Sequence, residues 1–231
     1  MNDRITSLGS SFGYGVSAEQ RNRVLRNTYW LLTLSLVPTV LGAWFGVAAG
    51  LSHALSGGLG MVVFLVGAFG FMYAIEKNKN SAAGVPILLG FTFFMGLMLS
   101  RMIEMTLGYR NGADLIMIAF GGTAGVFLAM ASLATVIKRD LSSMGKWLFV
   151  GLVVVLVGSL INMFVGSSAG MLAISVAVIG IFSAYMLYDV KRIIDGGETN
   201  YITATLALYL DIINVFQSLL ALLGIFGGER D

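Results

Sequence analysis

Four ionisable side chains fall inside long apolar runs of this chain: Arg101, Glu104, Asp189 and Asp211. Charge at membrane depth is expensive, so such groups are functional suspects by default. Asp211 lies nine residues beyond Ile202, roughly 13 Å along a helix that rises 1.5 Å per residue. No basic residue lies near it on that run. Asn214 and Ser218 follow at i+3 and i+7, which puts an acid, an amide and a hydroxyl on one helical face. Such a face must look into a bundle. Two readings follow for Asp211: a hydrogen-bonded or protonated structural acid that holds helices together, or a proton- or cation-responsive group lining a pathway.

Asp189 ends the preceding apolar run, just before Val190, Lys191 and Arg192. One reading is an interfacial acid paired with those bases. The other starts from the short connection after it, with its Gly196–Gly197 turn, which makes the two runs antiparallel neighbours. Asp189 and Asp211 would then approach the same half of the membrane. Two carboxyl groups in contact cannot both ionise cheaply, and they titrate as a unit. Both are hard oxygen ligands suited to passing Ca²⁺. Arg101 and Glu104 are three residues apart near the end of the third run. They read either as a local ion pair that snorkels to the surface or as the lining of an outer vestibule. His53, the single histidine, reads as a solvated loop residue.

The elements that must carry these groups are set by composition. Of 231 residues, 57% are hydrophobic and 11% charged, with a mean hydropathy of +0.88. Soluble domains are about 25% charged, so the expected class is an all-α, polytopic membrane protein. With no cysteine, disulfides, thiolate zinc sites, iron–sulfur clusters and thiol catalysis drop out. A single histidine removes histidine-cluster metal sites and relays. The net charge of +2 gives no reason to expect nucleic acid as a partner. No cofactor is expected.

A spanning helix needs about 20 mostly apolar residues. Seven runs qualify, at roughly 28–49, 58–75, 83–105, 113–137, 146–165, 170–188 and 202–226. Connections are short, so residues 27–231 form one seven-helix transmembrane domain, preceded by a tail and amphipathic lead-in at 1–26. The first 26 residues are polar and the first apolar run is long, so no cleavable signal peptide is expected. Ser17 with Gln20 reads as a capping box opening a helix. Arg21, Arg23 and Arg26 would lie at headgroup level, with Tyr29 and Trp30 as interfacial anchors. With the N-terminus cytoplasmic, eleven Lys and Arg fall inside and two, Arg110 and Arg230, fall outside. An odd number of spans preserves that bias, which puts the C-terminus outside.

Several of the 30 glycines lie within the runs and predict tight helix packing. Gly121 and Gly125 form a GxxxG pair that predicts a close helix approach. Pro86 falls in the first turn of the third helix, and Pro38 is expected to kink the first. The 13 methionines read as adaptable packing.

Further residues carry a resemblance. Tyr188-Asp189 and then Leu208-Tyr209-Leu210-Asp211-Ile212-Ile213-Asn214-Val215-Phe216 resemble the signature of the Bax inhibitor-1 (transmembrane Bax inhibitor motif) family. The stretch from Glu76 to Gly84 is similar to an inner loop of its bacterial branch. Phe120–Gly125 and Lys138–Ser142 are similar to its fourth helix and the loop that follows. The similarity runs from about residue 20 to the C-terminus. It implies a seven-helix bundle with the last helix surrounded by the others, in a bacterial inner membrane. It further implies a pH-sensitive calcium leak whose proton sensor is an aspartate pair, matched by Asp189 and Asp211. Asn214 and Ser218 would line the pathway. The resemblance also implies a gating arginine near the end of the second helix. Here that stretch reads Ile75-Glu76-Lys77-Asn78, and Lys77 beside Glu76 stands in its place. Another bacterial branch of the family is described as a modulator of the membrane-anchored FtsH protease.

Two functions therefore compete: a cation leak opened or closed by protonation of the aspartate pair, and an interaction protein that binds a membrane protease without an ion path. Intramembrane aspartyl proteolysis fits poorly. Its second aspartate belongs in Gly-x-Gly-Asp, where this chain has Leu208-Tyr209-Leu210-Asp211, and its Pro-Ala-Leu segment is missing. No enzyme activity is expected. A retinal pump needs a lysine on the last helix, and there is none. The orientation is testable with reporter fusions, which should place the 77–81 loop inside and Asp231 outside. A cytoplasmic C-terminus would contradict the seven-span reading.

Overall fold

Long apolar runs cannot leave backbone polar groups unpaired in hydrocarbon, so each closes its hydrogen bonds within a helix. The computed structural model describes residues 17–54 and 57–229. Eight helices follow in order: α1 (Ala18–Ala48), α2 (Leu51–Ala54), α3 (Gly57–Asn78), α4 (Gly84–Leu107), α5 (Gly112–Val136), α6 (Met144–Val165), α7 (Ser168–Ile194) and α8 (Tyr201–Gly227). All but the one-turn α2 are long and apolar enough to cross a membrane, which makes seven. No strand occurs among the described residues. The expected tail at 1–16, Arg230 and Asp231 lie outside them.

One helix boundary agrees with the sequence expectation and one differs. α1 starts at Ala18, where the Ser17 side chain accepts from the Gln20 N–H at 3.1 Å. It runs unbroken past residues 26 and 27 and on through Pro38. α7 does not stop at Tyr188 but continues to Ile194. Lys191 and Asp195 lie one turn apart and pair at 2.6 Å, so polar residues there extend the helix instead of ending it. Asp189 is thus an internal helical residue. The turn after α7 places Gly196 at φ +82, a left-handed position that glycine takes without a Cβ clash.

α8 is the central helix. It packs against α1, α3, α4, α5 and α7, and Leu208, Tyr209 and Val215 on it are fully buried. α3 and α6 lie at the rim: α6 buries only Leu148 and Val155, against α7, and α3 only Gly60 and Ile75. Their outer faces carry Phe69, Trp147 and Phe164, fully suited to lipid.

The closest helix pair is α1 with α4, and its seam is built from small residues. A Cβ on Gly42 would collide with the carbonyl oxygen of Phe93, one on Gly96 with that of Thr39, and one on Gly46 with Ser100. Gly42 and Gly46 are the GxxxG pair that carries a close approach. Gly121 and Gly125 are not: both are exposed, and a Cβ on either meets nothing within 4 Å. The motif is the same in both helices, and only the facing neighbour differs. Gly96→Leu should therefore destabilise the protein by about 1–3 kcal/mol, while Gly121→Leu should stay within about 0.5 kcal/mol of the parent. Thermal unfolding of the two variants in detergent checks this; equal losses would contradict the seam.

Candidate functional site

The site forms where α7 and α8 run antiparallel. Their connection is fixed at both ends. Asn200 caps α8, its side-chain oxygen accepting from the N–H groups of Ile202 and Thr203 at 2.9 and 3.2 Å. The Gly197 N–H closes the end of α7 on the Arg192 carbonyl at 2.9 Å. Arg21 at the start of α1 donates to the last carbonyl of α7, that of Ile194, at 3.2 Å.

This frame brings Asp189 of α7 and Asp211 of α8 near enough for their carboxyl groups to interact. Asp211 is 4% exposed, and Asp189 is half-buried. A carboxylate only accepts, so a hydrogen bond between two carboxyl groups needs a proton on one of them. Oδ2 of Asp211 has no hydrogen-bond partner among the described residues. Of the bases that follow Asp189, Lys191 pairs with Asp195 at 2.6 Å, while Arg192 lies 3.8 Å from Glu198 and also faces Asp189 electrostatically, in keeping with the interfacial-acid reading.

Asn214 is half-buried and donates its amide back to the Leu210 carbonyl at 2.7 Å. Ser218 is buried further along the same helix. Glu76 pairs with Lys79 at 2.5 Å, and Lys77 is exposed beside it. The loop that follows is tied to α8, because the Asn200 amide donates to the Lys79 carbonyl and to Asn80 Oδ1, both at 2.9 Å. In the next cytoplasmic-side loop of the sequence reading, hydrogen bonds from Ser142 hold the Asp140 carboxyl below the usual carboxylate range.

At the opposite end, Arg101 and Glu104 do not form the ion pair their spacing suggests. Glu104 lies 3.5 Å from His53 on α2, and Arg101 is exposed. α2 packs against α4, which sets His53 within reach of Glu104, while its side chain stays 83% exposed, as the solvated reading expects. Among the described residues no cluster of three or more His, Cys, Asp or Glu could hold a metal ion. Asp189 and Asp211 supply two carboxyl groups and no third.

Sequence reasoning missed Tyr209. Its hydroxyl lies 2.8 Å from Thr39 Oγ1 on α1 and donates to the Thr92 carbonyl on α4 at 3.4 Å. Tyr209 sits two residues before Asp211, so the two point to different sides of α8. A tyrosine deep in an apolar run needs a partner for its hydroxyl, and that signal was available.

The chain matches the family described as "Inhibitor of apoptosis-promoting Bax1" over residues 21–228. The chain belongs to the Bax inhibitor-1 family. Its relatives are similar over nearly their whole length. An uncharacterized membrane protein of Vibrio cholerae is 40% identical over 91% of this chain and 92% of its own. The "Modulator of FtsH protease YccA" of Escherichia coli is 38% identical over 88% of this chain and 90% of its own. A Pseudomonas aeruginosa protein is 38% identical over 92% and 94%. The family assignment and the seven apolar helices agree on a multi-pass membrane protein. Tyr209→Phe removes one buried hydroxyl but keeps the ring, so it should cost about 1 kcal/mol. Thermal unfolding in detergent reads this, and an unchanged midpoint would show that the α8 contact to α1 and α4 carries no stability.

Proposed function

We propose that this member of the Bax inhibitor-1 family is an inner-membrane modulator of an FtsH-type membrane-anchored protease. The observation that carries this reading is the 38% identity over 203 residues to the Escherichia coli modulator of FtsH. Similarity at that level, over nine-tenths of that protein, extends well beyond any single motif. The fold supplies broad apolar rims on α3 and α6 for a membrane partner. The test is co-reconstitution with Escherichia coli FtsH in liposomes, following degradation of a membrane substrate. Turnover should change in step with the ratio of this chain to protease. Unchanged turnover together with no co-purification would overturn the reading.

A cation leak is the second reading, and the Asp189–Asp211 contact is the observation that favours it. In this reading proton binding to the pair alters the packing of α7 on α8, and Asn214 and Ser218 line the path. Ionised, the two carboxylates are hard oxygen ligands for a passing Ca²⁺. Neither reading calls on a catalytic residue. Calcium flux across pH, in liposomes holding this chain alone, tests the leak. Asp211→Asn and Asp189→Asn should each flatten the pH response without unfolding the protein. The double variant should add little, because coupled groups are not additive. A folded double variant with unchanged flux and pH response would leave protease modulation as the function.

A further inference from the structure

α1 and α5 meet edge to face at Tyr29 and Phe127, with ring centroids 5.9 Å apart. They do not pack as a helix pair beyond that contact. Between them opens a groove of about 750 Å³ whose floor is formed by α4 and α8. Along α1 it reaches from Leu32 to Val47, about 22 Å at 1.5 Å per residue. All its walls belong to helices long and apolar enough to cross a membrane, so the mouth opens into hydrocarbon.

The hydroxyl groups in its wall are satisfied within their own helices. Thr33 donates to the Tyr29 carbonyl, Thr39 to that of Ser35, and Thr123 to that of Ala119. An apolar cavity with satisfied walls holds no ordered water. The chemistry of the wall suits hydrocarbon. The ring pair closes the groove toward the N-terminal end of α1, which obstructs a straight spanning helix. An acyl chain can bend over that sill and end within the membrane. One leaflet of hydrocarbon is about 15 Å deep, shorter than the groove.

A charge marks where the headgroup belongs. Thr33, Val40 and Val47 line the groove at heptad spacing, and a helix drifts only about 20° per heptad. One heptad earlier on the same stripe is Arg26, exposed and about 10 Å beyond Thr33. A guanidinium at that level is placed to hold a phosphate.

We propose that the α1–α5 groove binds one acyl chain of an anionic phospholipid, with Arg26 holding the phosphate.

Native mass spectrometry of the full chain, reconstituted in phosphatidylglycerol or phosphatidylcholine vesicles and then extracted into detergent, tests this. The parent should retain one phosphatidylglycerol, in preference to phosphatidylcholine. Ala124→Phe and Val40→Phe fill the groove from opposite walls, and each should abolish retention. Val176→Phe adds the same ring to an exposed position on α7 and should retain lipid like the parent. Arg26→Gln should retain about fivefold less phosphatidylglycerol, the size of one basic contact to an anionic membrane surface. Thermal unfolding identifies a variant that fails to fold, and the other groove-filling variant then decides. The proposal is overturned by any of three results: no lipid retained by the parent, equal retention of the two lipids, or parental retention in the folded groove-filling or Arg26→Gln variants.

Discussion

The architecture depends on one constraint, the carboxyl group of Asp211 in the middle of an apolar helix. Hydrocarbon offers it no partner, and an unpaired polar group there costs several kcal/mol, on the order known for burial without a hydrogen bond. α8 must therefore be enclosed, and α1, α4, α5 and α7 enclose it. Enclosure alone still leaves the acid unsatisfied. α7 brings Asp189 beside it, and a proton shared between the two carboxyl groups would satisfy one oxygen of each, while Oδ2 of Asp211 keeps no partner among the described residues. On another side of α8, Tyr209 bonds to Thr39 and Thr92. Polar contacts thus fix the central helix to α7 in one direction and to α1 and α4 in the other. The glycine seam of α1 with α4 lets those two act as one wall.

The apolar runs, the seven long helices and the buried acids were legible in the sequence because membrane thickness and the cost of intramembrane charge impose them directly. Facing neighbours were not. Gly42/Gly46 and Gly121/Gly125 carry the same spacing, yet only the first pair meets another backbone. A motif states what a helix face permits, and tertiary packing decides whether anything comes to it. Asp189 appeared to end its helix because Lys191 and Arg192 follow. In the fold these bases bond to Asp195 and Glu198, and the helix continues. Glu104 appeared matched to Arg101 by spacing, but α2 brings His53 to it. Each difference arises from a contact between elements, which spacing along one helix does not encode.

The two proposed functions, protease modulation and cation leak, would draw on different parts of the molecule. The first needs an outer surface that a membrane partner can meet, and the apolar rims on α3 and α6 supply it. The second needs a titratable core, and the α7–α8 interface holds one. The α1–α5 groove also reaches the central helix. Its floor includes Ile213 and Phe216 of the central helix, so its contents touch the helix that carries Asp211.

The central claim is that Asp189 and Asp211 share a proton as one unit. Infrared difference spectroscopy of the reconstituted protein reads it directly, through the carbonyl stretch of a protonated carboxyl group. At neutral pH the account predicts one such band, shifted in Asp189→Asn and lost in Asp211→Asn, because burial disfavours the charged form of Asp211 whichever residue stands at 189. A band left unmoved by Asp189→Asn, or no protonated carboxyl in the parent, would contradict it.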